Sequence, residues 1–225
     1  MELSIDTASG LASVALSQDG QLAAEITWRC HRNHTVELLP TIEKLLAQAG
    51  AAKEDLSAVF VCTGPGMYTG LRVGVSVAKG LAYALAIPIL GVGRLELDAH
   101  AHAAFPGPIV AIHRAGRGEL AWAAYAGDPW RELSAPRLSA APELASGTRE
   151  RTLFVGEIDE ELATLLREFA PGGAVIAAPA ASLRRAAALA ELAHARLAER
   201  GPQDAGSLRP LYLRPPAIGP QQPRT

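Results

Sequence analysis

Short runs of alternating hydrophobic and polar residues open the chain, and longer runs with helical spacing follow. Asp19-Gly20 lies between two alternating runs, which is a strong signal for a β-hairpin. The first half of the chain predicts strands at residues 3–6, 12–17, 21–28, 56–62 and from 87 onward, and helices at residues 35–49, 69–86 and 95–104. The pattern therefore indicates a strand-rich start followed by alternating helices and strands.

The second half of the chain continues this alternation. It predicts strands at residues 109–113, 119–125, 152–155 and 174–177, helices at residues 159–169 and 182–200, and a link rich in proline and serine at residues 135–147. Strands and helices that alternate throughout are typical of an α/β protein. We expect three parts: a first lobe at residues 1–104 with helix 182–200 packed on it, a smaller lobe at residues 105–181, and a tail at residues 201–225.

Composition narrows the class of protein. The chain has 225 residues, is 49% hydrophobic and 20% charged, and can therefore bury a sizeable core. Its net charge of −2 gives no overall basic field, so we expect the chain to contact nucleic acid only through a local patch or through a partner protein. No apolar run suits a signal peptide or a membrane span, which predicts a cytoplasmic protein. Cys30 and Cys62 are expected to be reduced core residues.

Residues 62–74 place a glycine-rich turn between an apolar strand and a long helix; they read Cys-Thr-Gly-Pro-Gly-Met-Tyr-Thr-Gly-Leu-Arg-Val-Gly. Glycines let backbone N–H groups approach a ligand, and the first turn of a helix carries unpaired N–H donors. Candidates for an anion site are therefore Gly64, Pro65, Gly66, Thr69 and Gly70. A simpler interpretation also fits, in which Thr69 only caps the helix after a tight turn.

The two N-terminal helices carry more apolar surface than one sheet can cover, because their polar residues are confined to narrow stripes. Small residues at i, i+4 steps form a strip on the second helix where another helix could approach. We expect a partner interface made of eight residues: Leu38, Ile42, Leu45, Gly70, Arg72, Gly74, Ala78 and Ala82. Two alternatives stay open. A helix of the same chain could cover these faces, and Arg72 could be an exposed residue instead of an ion partner.

Pro40 lies about five residues into the first predicted helix. Proline inside a helix removes a backbone donor and crowds the carbonyl four residues earlier. We therefore expect the helix to kink or restart at this residue.

Several segments together resemble the TsaB (YeaZ) family. They are Ile-Asp-Thr-Ala at 5–8, His34-Thr35 with Leu-Leu-Pro at 38–40, the glycine-rich segment 64–74, Gly91-Val92, and Tyr-Leu-Arg at 212–214. The resemblance implies the two-lobed, ribonuclease-H-like fold of actin, sugar kinases and Hsp70 chaperones. It further implies a non-catalytic activator of the transferase that forms N6-threonylcarbamoyladenosine beside the anticodon of tRNA.

The implied partners are a transferase similar to TsaD, which pairs through the two N-terminal helices, and a small ATPase similar to TsaE. A homodimer is a further expectation, and we expect the chain to contact tRNA only as part of the complex. The catalytic relatives carry two histidines one helical turn apart, which can hold a metal. Those positions are Arg94 and Asp98 here, so we expect no metal site and no catalytic residue.

The remaining histidines give weaker signals. His100 and His102 lie on different faces of the predicted helix and are expected at the surface. His34 precedes a helix and is expected to be a capping or turn residue. His113 stands where the family usually has aspartate, which leaves the role of its loop open.

In the wider superfamily, an aspartate on the first strand and a second glycine-rich hairpin close around a Mg²⁺-bound phosphate. Asp6 with Ser9-Gly10 is a candidate for the first half here, and Thr7 belongs to the same family motif, but no acidic glycine-rich hairpin marks the second half. Because ATP chemistry needs both, we expect no cofactor on this chain alone and ATP or ADP only at the partner interface. Asp6 also fits a structural role, accepting hydrogen bonds from its own turn.

Two other functional classes remain open. The chain could be an independent enzyme, either an ATP-dependent transferase or a metallopeptidase-like protein, or it could be a homodimeric structural protein. The missing histidine pair and the missing second phosphate clamp disfavour the independent enzyme.

Overall fold

The structure is a computed structural model that describes residues 1–31, 33–178, 180 and 184–214. This part of the chain forms two five-stranded mixed sheets. The first sheet has the order β3-β2-β1-β4-β5 and consists of β1 (Glu2–Asp6), β2 (Leu11–Gln18), β3 (Gln21–Arg29), β4 (Ala58–Gly64) and β5 (Ile89–Gly93). Strands β1, β2 and β3 pair antiparallel, whereas β4 is parallel to both β1 and β5.

The second sheet repeats this topology. It has the order β10-β9-β6-β7-β8 and consists of β6 (Pro108–Gly116), β7 (Glu119–Ala126), β8 (Arg131–Ala140), β9 (Thr152–Gly156) and β10 (Ala174–Ile176). Strand β6 takes the position of β1, because it pairs antiparallel with β7 and parallel with β9. The repeat lies in the order and sense of the strands, which a search for repeated residues does not detect.

The described residues also form six α-helices: α1 (His34–Gln48), α2 (Tyr68–Leu85), α3 (Arg94–His100), α4 (Ala141–Gly147), α5 (Glu160–Phe169) and α6 (Ala186–Arg200). Alternate residues of β4 divide the first core, because successive side chains of a strand point to opposite faces. Val59 and Val61 pack with α1 and α2, whereas Phe60 and Cys62 pack with α6. The first sheet is therefore covered on both faces.

Helix α3 lies between the two sheets. Leu97 joins the core shared with α6, while Leu95 and Ala99 pack against the second sheet. The opposite face of the second sheet is covered by α4 and α5. Because α3 contributes to both cores, it fixes the sheets against each other and brings its polar residues to their junction.

Most predicted elements are confirmed to within a few residues, but three predictions are wrong. Residues 135–147 are not a link: they form the end of β8 and then α4. Proline is tolerated there because β8 is an edge strand, where a missing N–H breaks no ladder. Helix α3 ends at His100, earlier than the predicted residue 104. Helix α1 does not restart at Pro40, because it runs unbroken from His34 to Gln48; a kink at Pro40 stays a prediction.

The predicted start of the last helix at residue 182 lies outside the described residues, and α6 is helical from Ala186. Within the described part of the chain, none of the helices has the length and apolar character needed to cross a bilayer.

Candidate functional site between the two sheets

A cluster of charged side chains is buried where the two sheets meet. Asp6 ends β1, Arg94 and Asp98 lie on α3, and Arg184 precedes α6. Each of these four side chains is at most 7% exposed. Since isolated buried charges are very costly, such a cluster persists only if its members pair with one another.

Arg184 joins the two acidic residues of the cluster. Its Nε and Nη2 donate to the Asp6 carboxylate, its Nη2 donates to Ser9 Oγ at 3.0 Å, and its Nη1 lies 3.6 Å from Asp98 Oδ1. Burial lowers the pKa of Arg184, but the charges of Asp6 and Asp98 outweigh it and the net pKa is raised. The guanidinium is therefore a permanent cation inside the cluster.

Arg94 extends the cluster to the second sheet. Its Nη2 donates to Glu157 Oε1 at 2.6 Å, and its Nε lies 3.5 Å from Asp98 Oδ2. His113 Nδ1 lies 2.7 Å from Arg94 Nη1 and 2.9 Å from Glu157 Oε2. Burial raises the pKa of Glu157, but the His113 hydrogen bond and the Arg94 charge outweigh it, so its pKa is well below the ordinary value. Glu157 therefore stays ionised.

Arg94 and Asp98, the two positions at which the family resemblance implies that a metal-binding pair has been lost, thus form an internal ion pair connected to both sheets. Among the described residues, no three acidic, histidine or cysteine side chains are grouped to hold a metal. Asp6 Oδ1 also accepts from Ala8 N at 2.9 Å, so both of its oxygens are occupied by the chain itself. A Mg²⁺-bound phosphate does not fit this arrangement, because the Arg184 guanidinium stands against the carboxylate that would hold the metal.

The glycine-rich segment packs against the first hairpin of the chain. A Cβ on Gly66 would lie 2.1 Å from Ala8 O, and Met67 N donates to that same carbonyl at 2.9 Å. Gly64 adopts a φ of 98°, which favours glycine and turns the chain sharply after β4. The glycines here permit close backbone packing, and the amide of Met67, which follows the predicted anion-site residue Gly66, is already used.

Two predictions about helix caps are wrong. Helix α2 begins at Tyr68 after Met67, which makes no side-chain cap, so the exposed Thr69 lies inside the helix. His34 is the first residue of α1 and is buried, with Nε2 3.0 Å from Ser9 O. It ties α1 to the turn after β1 and caps nothing. His100 is half-buried, and its ring packs edge-on against Trp130.

The residues predicted to form the partner interface do not lie on the outer surface of the chain, apart from Arg72. Seven of its eight residues are buried inside the chain: Leu38, Ile42, Leu45, Gly70, Gly74, Ala78 and Ala82. The small strip of α2 faces β1, where a Cβ on Gly70 or Gly74 would lie 2.2 Å from an oxygen of Thr7. The Thr7 hydroxyl donates to Gly70 O at 2.7 Å. The first sheet of the chain itself thus covers the small strip of α2, where the alternative interpretation expected another helix.

Arg72 is the exception, since it is exposed. Its guanidinium lies 4.1 Å from the ring centre of Tyr68, and its Nε donates to the Tyr212 hydroxyl at 3.2 Å. Its partners in this chain are therefore aromatic.

Other residues of the same helices remain exposed and apolar. On α1, Val36 is 71% exposed and Leu39 is 49% exposed, and they lie one turn apart on the same face. On α2, Tyr83 is 89% exposed. We call these three exposed residues the outer helical face. Val36 and Leu39 are neighbours, and contiguous exposed apolar side chains are a feature of interaction surfaces.

Comparison with known proteins identifies the family. The family model for TsaD, tRNA N6-adenosine threonylcarbamoyltransferase, matches residues 28–217. The chain is 40% identical over 118 residues to the tRNA threonylcarbamoyladenosine biosynthesis protein TsaB of Bacillus subtilis, covering 52% of each chain. It is 37% identical over 128 residues to TsaB of Escherichia coli, covering 56% of this chain and 55% of that protein. The chain therefore spans about half the length of the curated relatives it matches.

Solved structures match a longer part of this chain than the curated sequences do. YeaZ from Pseudomonas aeruginosa superimposes with a TM-score of 0.79 at 26% identity, covering 94% of this chain and 99% of that one. A ROK family protein from Streptococcus pneumoniae, 12% identical, has a TM-score of 0.52 and covers 88% of this chain and 98% of its own; it shares the fold alone. The predicted two-lobed α/β fold is confirmed, and the chain belongs to the TsaD family of tRNA N6-adenosine threonylcarbamoyltransferases, within its TsaB (YeaZ) group.

Proposed function

We propose that the chain takes part in forming N6-threonylcarbamoyladenosine in tRNA, as a non-catalytic partner that activates the transferase. The observation that carries the non-catalytic role is the buried pairing of Arg184 with Asp6 and Asp98. An arginine held there supplies to the two carboxylates the positive charge that a metal ion would otherwise bring. The names of the relatives support the process, and a cytoplasmic location follows from it.

The proposed contact with the transferase is the outer helical face. Val36, Leu39 and Tyr83 leave apolar surface in water, and a partner that covers it gains the hydrophobic free energy of their burial. This corrected surface uses the same two helices as the sequence prediction, but their opposite sides. A second copy of the chain could cover the same face, so the homodimer remains the competing occupant.

Further partners and ligands belong to the same proposal. A small ATPase similar to TsaE is proposed to join the complex. ATP or ADP, where it binds, is proposed to lie at the junction with the transferase, because the cluster of this chain is filled by its own cations. With a net charge of −2, the chain is proposed to meet tRNA through the complex.

A reconstituted transfer assay tests the role. Threonylcarbamoyl transfer to tRNA is measured with the transferase alone, with this chain alone and with both. We expect transfer only when the transferase is present, and faster transfer when this chain is added. Transfer by this chain alone would show that it is an enzyme, and an unchanged rate would remove the activating role.

A binding experiment tests the surface. Val36→Asp and Tyr83→Asp should each weaken binding to the transferase by about 30-fold or more, as expected for hot spots of an interface. Phe169→Asp is the matched control, because Phe169 is 53% exposed on α5, away from both helices. All three changes should leave the free energy of unfolding within about 0.5 kcal/mol of wild type. Equal binding by all three variants would exclude the outer helical face.

A further inference from the structure

Residues 201–214 leave the end of α6 and return across the first sheet. Gln203 N donates to Ile89 O at 3.0 Å, and Gln203 Oε1 accepts from Gly91 N at 2.9 Å, so the segment lies along the edge strand β5. Leu208 is buried in the core beneath α1 and α2. Lys79 Nζ donates to Leu208 O at 3.3 Å. The first part of the segment is thus fixed by backbone bonds and a buried side chain.

The next residues hold the start of α2. Leu211 N donates to Thr63 O at 2.8 Å, at the end of β4. The rings of Tyr212 and Tyr68 lie 5.1 Å apart between their centres, and Arg72 contacts both tyrosines. The segment therefore holds both sides of the glycine-rich turn.

The last described residues of the segment reach the second sheet. Arg214 Nη2 pairs with Glu119 Oε2, and Glu119 is the first residue of β7, beside the tip of the β6–β7 hairpin. A groove of about 570 Å³ lies between residues 65–68, the hairpin residues 113–116 and residues 211–214. Leu213 lines this groove together with Ala121 and Leu138 of the second sheet. One short segment thus touches both walls of the groove.

We propose that residues 201–214 form a strap between the two sheets, and that the ion pair of Arg214 with Glu119 is its releasable attachment to the second sheet. Attachment to the first sheet uses a buried leucine and paired backbone groups. The Arg214 and Glu119 side chains are 32% and 39% exposed, and a pair of this kind is weak and screened by salt. The strap therefore opens at Arg214 first, which frees the β6–β7 hairpin from the glycine-rich turn. This proposal does not depend on the proposed function.

Hydrogen exchange of the full chain tests the strap through changes made on the opposite sheet. Glu119→Arg places two cations together, and it should raise amide exchange in residues 211–214 about two- to fivefold, the range that corresponds to loss of a partly exposed ion pair. Arg214→Glu should raise exchange in the hairpin residues 113–118 by a similar factor. The double variant E119R/R214E restores an opposite pair and should return both regions to the wild-type rates.

Arg117→Glu is the matched control, because Arg117 is exposed at the tip of the same hairpin. It should leave exchange in residues 211–214 unchanged. The strap is excluded if E119R has no more effect on those residues than R117E, or if the double variant exchanges as fast as E119R alone. High salt gives an independent readout, since it should bring the wild-type rates toward those of E119R.

Discussion

Arg184→Met removes the central cation of the buried cluster while keeping most of the side-chain volume. Asp6 and Asp98 would remain buried, each at most 4% exposed, without the guanidinium that lies against them. Removing one partner of a buried ion pair typically costs about 3–5 kcal/mol, because the remaining charge is left uncompensated. Ser9 Oγ also loses a donor. We therefore expect the free energy of unfolding to fall by about 3–5 kcal/mol.

Urea unfolding followed by circular dichroism measures this change as a shift of the midpoint at constant slope. Arg185→Met is the matched control from the next residue. Arg185 is 55% exposed and pairs with Glu25, so its loss should cost less than about 1 kcal/mol. The double variant R184M/D6N removes one of the stranded charges and should recover at least about 1 kcal/mol relative to R184M alone.

If R184M costs no more than R185M, the guanidinium does not hold the cluster together. If D6N makes R184M less stable, Asp6 is not the charge that Arg184 compensates. Either result would remove the physical basis for the non-catalytic role.

Three further predictions concern the core and the cluster. Glu157→Gln should lower the free energy of unfolding by about 1–2 kcal/mol at pH 7. Since the pKa of Glu157 is depressed in the folded state, the difference in unfolding free energy from wild type should shrink as the pH falls below the ordinary pKa of 4.5. A difference that stays constant with pH would contradict this. Gly80→Ala should stabilise the protein by up to about 1 kcal/mol, because nothing lies within 4 Å of the added Cβ. Gly74→Ala should destabilise it by about 1–3 kcal/mol, because the added Cβ would lie 2.2 Å from Thr7 Oγ1. Equal effects of the two variants in urea unfolding would show that α2 does not pack on β1. Burial, and to a smaller extent the neighbouring Glu37, raises the pKa of Cys30 to about 11, and burial also raises the pKa of Cys62. Neither thiol should therefore react with a thiol reagent at pH 8 until the chain unfolds.

The internal symmetry of the fold shows why some features escape a reading of the sequence. Strands β1 and β6 occupy equivalent places, yet β1 ends in Asp6 while β6 carries His113 near its end. Backbone hydrogen bonds join the strands of either hairpin, and they do not depend on side-chain identity. The second hairpin is therefore present in the fold, with Gly116 and Gly118 at its tip, although His113 stands near the end of β6 where an acidic residue is expected of a phosphate clamp.

Local pattern determined much of this protein. Period-two and helical spacing located most strands and helices, because those periods follow from backbone geometry within a few residues. The glycine-rich turn and the segments that mark the family were also readable. The same pattern showed that α1 and α2 bury most of their surface, but an amphipathic pattern does not say what covers a face.

Only the tertiary structure decided which faces meet. It placed the small strip of α2 against β1 and left Val36, Leu39 and Tyr83 outside. It also brought Arg184 to Asp6, 178 residues earlier in the chain. Nothing local marks such a pair, because the electrostatic partner of a buried charge is fixed by the path of the whole backbone and not by its neighbours in sequence.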